Sequence, residues 1–252
     1  MTGYHRHVHW KRNMPDSRRH RGPHPEDHRL FHRDRVGDLQ KAVTDFSLLL
    51  SRGYATPSAL KLVGDHFNLT ERQRTAVQRA SCSDDALVGR RKREIALSAI
   101  GEQPLIIDGY NILTTLETAL SGGPIFACRE GCFRDMASIH GTYRKVEETV
   151  PALNLLSDYL SGAKCGPITV LLDSPVSNSG RLKAVIESVN PNWKVELVPN
   201  PDPLLSASDQ IVVTADSVIL DAAKRWTNLA REIISARIPQ AWIIDLSIPG
   251  PD

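Results

Sequence analysis

The 252-residue chain has no apolar run approaching the ~18 residues of a membrane-spanning helix, which excludes a helical transmembrane protein. No apolar segment follows the basic N terminus, so a secretory leader is not expected and a cytoplasmic location is. Cysteine is sparse. Cys82, Cys128, Cys132 and Cys165 contain no Cys-x-x-Cys pair, and no His or Cys partner follows Cys128 and Cys132 at zinc-site spacing. Reduced, partly buried thiols are therefore expected. No base accompanies Cys128 or Cys132, which argues against a thiol nucleophile. The Gly-x-x-x-x-Gly-Lys-Ser/Thr phosphate loop is missing, as is the glycine series of a dinucleotide-binding turn. No internal repeat is present.

What is present is unevenly distributed. Residues 1–103 carry 19 Lys and Arg against 12 Asp and Glu, a formal net of +7, whereas residues 104–252 carry 12 against 17, a net of −5. Such asymmetry fits a module that meets a polyanion joined to one that gathers cations around carboxylates. Residues 1–33 are rich in Arg, His, Pro and Gly, hold seven of the nine histidines, and read as a disordered extension. From residue 34 to about residue 100 the pattern is helical. Val36, Leu39, Val43, Phe46 and Leu50 recur at spacings of three and four. Ser58 can cap the next helix, and Thr70 caps ERQRTAVQRA, with Gln73 at the capping-box position. Two short helices joined through Asn68-Leu69-Thr70, with Arg72, Arg74 and Arg79 on or near the second, have the look of a helix-turn-helix unit. A small bundle with solvated arginines gives the same pattern. The consecutive cations Arg90, Arg91, Lys92 and Arg93 can pair with substrate phosphates or form a solvated face.

Residues 104–249 read as an α/β domain. Apolar strands are expected at 105–107, 168–172, 194–198, 211–215 and 241–246, alternating with helices, which predicts a mostly parallel three-layer α/β sheet. Three of the apolar runs end in a carboxylate: Asp108 in PLIIDGYN, Asp173 in ITVLLDSP and Asp216 in IVVTADSV. The C-terminal ends of parallel strands are where such sheets place ligands. Three aspartates converging there point to a divalent cation and phosphoryl chemistry, although an Asp after a strand is also an ordinary helix cap. Mg²⁺ or Mn²⁺ is the expected cofactor. Asn111 is positioned to orient a metal water or a phosphate oxygen. The Tyr110 ring either reaches the site or packs between sheet and helix. The polar stretch FRDMASIHGTYRK offers Arg134, His140, Arg144 and Lys145 to a cleft, with His140 as a candidate proton shuttle. In DSPVSNSG, Ser174, Ser177 and Asn178 can bond phosphate or ribose, or can cap the following helix.

The stretches RGYATPSALKLVGDHFNLTERQR, IIDGYN, FRDMASIHGTYRK, LLDSPVSNSG and VVTADSVIL together resemble the domain-of-unknown-function 434 proteins with their C-terminal companion domain. The resemblance covers roughly residues 35–245 and carries no biochemical function. More distantly, the IIDGYN strand end is similar to the opening of PIN-like and NYN nucleases, whose first strand delivers a metal-binding Asp. That likeness implies a PIN-like fold with Asp108 as ligand, Asp173 and Asp216 as positional counterparts, and Asp135 or Glu147 completing the cluster. It also implies a metal-dependent ribonuclease or phosphodiesterase acting on RNA. Ser217 stands directly after Asp216, where such nucleases often have a second acid. A noncatalytic nucleic-acid-binding protein and a small-molecule phosphatase or phosphotransferase are the alternatives. A homo-oligomer is compatible with all three.

Overall fold

A computed structural model describes residues 20–137, 141 and 143–248. His140 and residues 1–19 of the expected N-terminal extension lie outside the described residues.

Residues 20–33 depart from the expected disorder. They form a short helix, α1 (Asp27–Leu30), and bury Leu30 and Phe31 in the helical core. The two apolar side chains have somewhere to go, and Arg72 reinforces the placement by donating to the fully buried Asp27 at 2.8 Å. Helix α2 (Arg33–Ser51) buries Leu39, Val43 and Phe46, the stripe expected from their spacing. Helices α3 (Thr56–His66) and α4 (Glu71–Ala80) pack against it. Thr70 and Gln73 make both bonds of the capping box at the start of α4. Helix α5 (Asp84–Arg93) then leads into the α/β domain.

That domain holds a five-stranded, fully parallel sheet in the order β5-β4-β1-β6-β7: β1 (Leu105–Asp108), β4 (Ile168–Asp173), β5 (Lys194–Val198), β6 (Ile211–Val213) and β7 (Trp226–Thr227). Helices α6 (Gly109–Leu120), α7 (Thr149–Gly162), α8 (Ser179–Val189) and α11 (Leu229–Arg237) cover one face. Helices α9 (Pro201–Ala207) and α10 (Ser217–Ala222) cover the other. Along β1, Leu105 and Ile107 enter the first core and Ile106 the second, so the strand is apolar throughout because both of its faces are buried. Gly109 lets α6 start hard against β4: a Cβ there would lie 2.8 Å from the Leu171 carbonyl oxygen.

Two expectations about strands change. The 241–246 run does not join the main sheet. Its core, β8 (Ile243–Asp245), pairs in parallel with β2 (Ile125–Ala127), and β2 pairs with the antiparallel β3 (Phe133–Arg134). Phe126 and Ile244 of this second sheet, with Leu246 just after it, close the core of the helical domain. The run WTNLAREIISA reads as one helix, but its first two residues form an edge strand ahead of α11, held by Trp226 Nε1 donating to the Arg90 carbonyl at 2.8 Å. Among the described residues no helix is long and apolar enough to cross a membrane.

Candidate active site

The C-terminal edge of the main sheet gathers carboxylates from four successive strand ends. Asp108 closes β1 and is 9% exposed. Its Oδ2 accepts from the Thr214 hydroxyl at 2.9 Å, and its Oδ1 caps α6 by accepting from the Asn111 amide at 3.4 Å. Burial pushes this carboxyl up to about 7; Asp216 and Asp173 push it the same way, while the bonds from Thr214 and Asn111 pull it down. The two strongest charges acting on Asp108 are thus both negative. Asp216 follows β6 and caps α10, its Oδ1 accepting from Val218 N at 2.8 Å. Asp173 closes β4, half-buried, and its carboxyl is raised by burial and by the nearby Asp202. Asp202 opens α9 after β5, and its carboxyl is raised by burial and by Asp216. The four aspartates therefore form an electrostatically linked set, Asp108 with Asp173, Asp173 with Asp202, Asp202 with Asp216, and Asp216 with Asp108.

A cleft of about 350 Å³ opens at Asp108 and Asp216 and is also lined by Tyr110, Asn111, Arg79 and Ser217. Asp173 and Asp202 stand outside its lining. Asn111 is held by the Ala215 N–H, which its Oδ1 accepts at 2.8 Å, so the side-chain amide group is left as a donor. Tyr110 is 6% exposed and its ring packs on Tyr143 with centroids 5.3 Å apart. Among the described residues its buried hydroxyl has no hydrogen-bond partner, and burial and Asp173 raise it to about 12. Tyr110 therefore lines the cleft while its ring packs on the loop residue Tyr143.

Several expected site residues have other tasks. Asp135 lines the cleft, but Oδ2 accepts from the Thr115 hydroxyl at 2.7 Å and Oδ1 from Ala137 N at 2.5 Å, a structural role for the loop after β3. Glu147 is exposed and lies 3.8 Å from His20, away from the cleft. Arg134 lines the cleft as expected, but it is buried against Glu130 and donates to the Ala215 carbonyl at 2.6 Å, so it also braces the turn before Asp216. The basic run divides: Arg90 is buried in ion pairs with Glu130 (2.8 Å) and Asp221 (2.7 Å), and Arg93 donates to the Asp221 and Ala223 carbonyls. Arg91 and Lys92 are exposed, and neither lines the cleft. The arginines of α4 are also engaged within the chain, Arg72 with Asp27, Arg74 with Asp65 at 2.7 Å, and Arg79 with the Asp135 and Ala137 carbonyls. Arg144, Lys145, Ser174, Ser177 and Asn178 are exposed on the loops flanking Asp173. Cys82, Cys128 and Cys132 are buried thiols and Cys165 is half-buried; burial pushes Cys82 up to about 11 and Cys128 up to about 12, far from a reactive thiolate.

Sequence reasoning does not single out Asp202 or Thr214. Asp202 lies four residues beyond β5, between Pro201 and Pro203 in the first turn of α9, so no strand-end signal marks it. Thr214 sits in the TAD run and serves two groups at once: its hydroxyl donates to Asp108 and accepts from Asp216 N at 3.0 Å.

A divalent cation fits this edge in one of two senses. Among the described residues no three or more His, Cys, Asp or Glu side chains converge closely enough to form a protein cage for a metal. Mg²⁺, however, commonly takes one or two carboxylates and completes its shell with water and substrate phosphate. Asp108 and Asp216 on one cleft supply hard oxygen ligands of that kind, and the orphaned Tyr110 hydroxyl marks the same wall as built for a polar guest.

Comparison with known proteins gives a family without a described activity. Residues 38–93 match the Protein of unknown function (DUF434), and residues 97–232 match the Domain of unknown function (DUF5616). An uncharacterised protein of Methanocaldococcus jannaschii is 30% identical over 186 residues, spanning 72% of this chain and 88% of that relative. No solved structure matches the chain. The matched regions cover the helical module and most of the α/β domain, including all four aspartates, and the chain belongs to the family that joins the DUF434 and DUF5616 domains.

Proposed function

We propose that the chain is a Mg²⁺- or Mn²⁺-dependent phosphodiesterase that cleaves RNA, on a fold related to the PIN-like and NYN nucleases. The observation that carries this reading is the delivery of four aspartates by four strand ends to one edge of a parallel sheet, two of them on a common cleft. A cluster of mutually repelling carboxylates costs stability and persists where something positive is to be held. In this reading Asp108 and Asp216 hold the ion. A divalent ion there supplies charge neutralisation and Lewis acidity toward a phosphate.

The chain's own residues do the remaining work. Thr214 and the first turn of α6 fix the Asp108 carboxylate. The Asn111 amide, locked by Ala215 N, donates to a phosphate oxygen. Asp173, nearer solvent on the adjacent strand end, is the carboxylate to align an attacking water by accepting its proton, and Asp202 adds negative charge at the rim.

The test is incubation of mixed single-stranded and structured RNAs with purified protein in Mn²⁺ or EDTA, alongside Asp108→Asn. Cleavage that needs Mn²⁺ and drops at least a hundredfold in the variant is expected. Uncut RNA that nevertheless binds would replace this reading with a noncatalytic nucleic-acid-binding protein.

A further inference from the structure

The loops on the far side of Asp173 carry a second, differently built pocket. Its volume is about 310 Å³, at the lower end of ligand-sized cavities, and its lining is Tyr143, Arg144, Lys145, Asn178, Arg181, Leu182 and Val185. The floor is apolar, from Leu182 and Val185, and the rim is three exposed cations. Many Arg and Lys side chains of the described residues meet a carboxylate, among them Arg72, Arg74, Arg90, Lys183 and Lys194. Arg144, Lys145 and Arg181 make no ion pair among the described residues. Three unpaired cations held together repel one another, and an anion between them removes that cost.

The pocket's walls are fixed. The Asn178 backbone takes a left-handed turn (φ 71°), its side-chain amide donates to the Tyr143 carbonyl at 3.0 Å, and Tyr143 N donates to the Ser177 carbonyl at 3.2 Å. These bonds tie the 143–145 loop to the turn that precedes α8. Tyr143 also connects the pocket to the cleft, because its ring packs on Tyr110, which lines the cleft and lies in electrostatic reach of Asp173. Asn178 follows Asp173 by five residues, which limits the separation of their Cα atoms to about 17 Å.

We infer that this pocket is a flanking-nucleotide subsite for a single-stranded polynucleotide: Arg144, Lys145 and Arg181 hold a backbone phosphate, and the base lies over Leu182 and Val185. The inference rests on the phosphodiesterase reading for the nature of the ligand, but it makes a separate claim about binding. Arginine suits the task through its planar set of donors, which matches phosphate oxygens. A polymer is favoured over a free nucleotide because the pocket stands beside the acidic edge rather than on it, so that only a strand engages both.

The full chain is titrated with a fluorescein-labelled single-stranded RNA of about a dozen nucleotides in EDTA, which prevents cleavage, at several salt concentrations. The triple variant Arg144→Ala/Lys145→Ala/Arg181→Ala changes only exposed side chains; the single variant Arg181→Ala is carried beside it, with melting temperature as the check on folding. The triple variant is expected to weaken RNA binding by tenfold or more and to flatten the salt dependence, by up to about 0.7 in log–log slope for each phosphate that is no longer neutralised. Arg181→Ala alone shows a smaller loss in the same direction. Mn²⁺ affinity, measured by calorimetry without RNA, stays at the wild-type value in both. Wild-type RNA affinity in the folded triple variant overturns the subsite. Competition by a mononucleotide as effective as by the strand overturns the polymer. If the wild-type protein binds RNA through these cations but binds no Mn²⁺, the subsite stands and the metal-dependent reading falls.

Discussion

Two buried charge clusters in this molecule are built on opposite principles. Around Glu130, Arg90 and Arg134 converge from α5 and β3, and Asp221 closes the set from α10. Every charge there faces one of opposite sign. At the C-terminal edge of the main sheet, Asp108 is buried with Asp216 and Asp173 as its strongest charged neighbours, and Asp202 extends the negative set. The first cluster ties the helical module to the α/β domain. The second caps α6 and α10 through Asp108 and Asp216, but among the described residues none of its carboxylates pairs with a cation. Burial alone does not distinguish a structural charge from a functional one; the sign of the neighbours does.

Removing one charge from each cluster should move stability in opposite directions, and that is the sharpest way to break the comparison. Glu130→Ala leaves the Arg90 and Arg134 guanidinium groups facing each other without their shared carboxylate. Breaking a buried pair costs about 3–5 kcal/mol, with the lower end expected because Arg90 keeps Asp221 and Arg134 keeps the Ala215 carbonyl. Urea unfolding measures it. A loss below about 1 kcal/mol would mean that the paired cluster is as dispensable to the fold as the unpaired one.

Asp108→Asn should do the reverse. The folded carboxyl, pushed up to about 7, lies above its ordinary value of 3.8, so the native state binds the proton more tightly than the unfolded chain. Its contribution to stability is greatest below the unfolded value, declines as pH rises toward about 7, and is flat above. At pH 8 the ionised group therefore carries a penalty of about 4 kcal/mol, which the amide removes. The variant should melt several degrees above wild type at pH 8 in EDTA and converge with it near pH 4. Mn²⁺ affinity should fall in the same protein. Stability gained where metal affinity is lost would mark Asp108 as a group kept at the expense of the fold; equal melting curves at pH 8 would remove that contrast.

The two clusters also differ in how far they can be read from the sequence. The acidic edge is legible because its parts repeat one local signal, an apolar strand ending in Asp, at Asp108, Asp173 and Asp216. The five-stranded parallel sheet is legible in outline for the same reason: 105–107, 168–172, 194–198 and 211–215 are long enough to show a buried run. The paired cluster is not. Arg90 and Arg93 read as half of an exposed basic patch because their partners Glu130, Asp221 and Ala223 are 40 or more positions away and no local pattern links them. The small sheet is hidden for a related reason. Strands of two or three residues such as Phe133–Arg134 and Ile125–Ala127 show no alternation, and the choice of β2 rather than the main sheet as partner for Ile243–Asp245 is made by the helical core beneath Phe126 and Ile244. Leu30 and Phe31 stand among too many Arg and His residues to signal a core.

Asp202 tests where the acidic set ends. It is exposed and shares its charge environment with Asp216 and Asp173, yet it does not line the cleft that holds Asp108. Among the described residues its Oδ atoms make no hydrogen bond or ion pair; the cap of α9 comes from Asn200, whose Oδ1 accepts from Asp202 N at 3.1 Å. Asp202→Asn should therefore leave unfolding free energy within about 0.5 kcal/mol of wild type, as for surface positions in general. Its effect should appear in Mn²⁺ affinity and in cleavage rate. Removing one negative charge from the rim weakens attraction for the ion by a few-fold, well short of the loss at Asp108, because solvent screens a charge at that distance. A loss equal to that of Asp108→Asn would move Asp202 from the rim into direct contact with the ion. No change in either affinity or rate would confine the working site to Asp108, Asp216 and Asp173, and the electrostatic link through α9 would then be a consequence of crowding at the sheet edge alone.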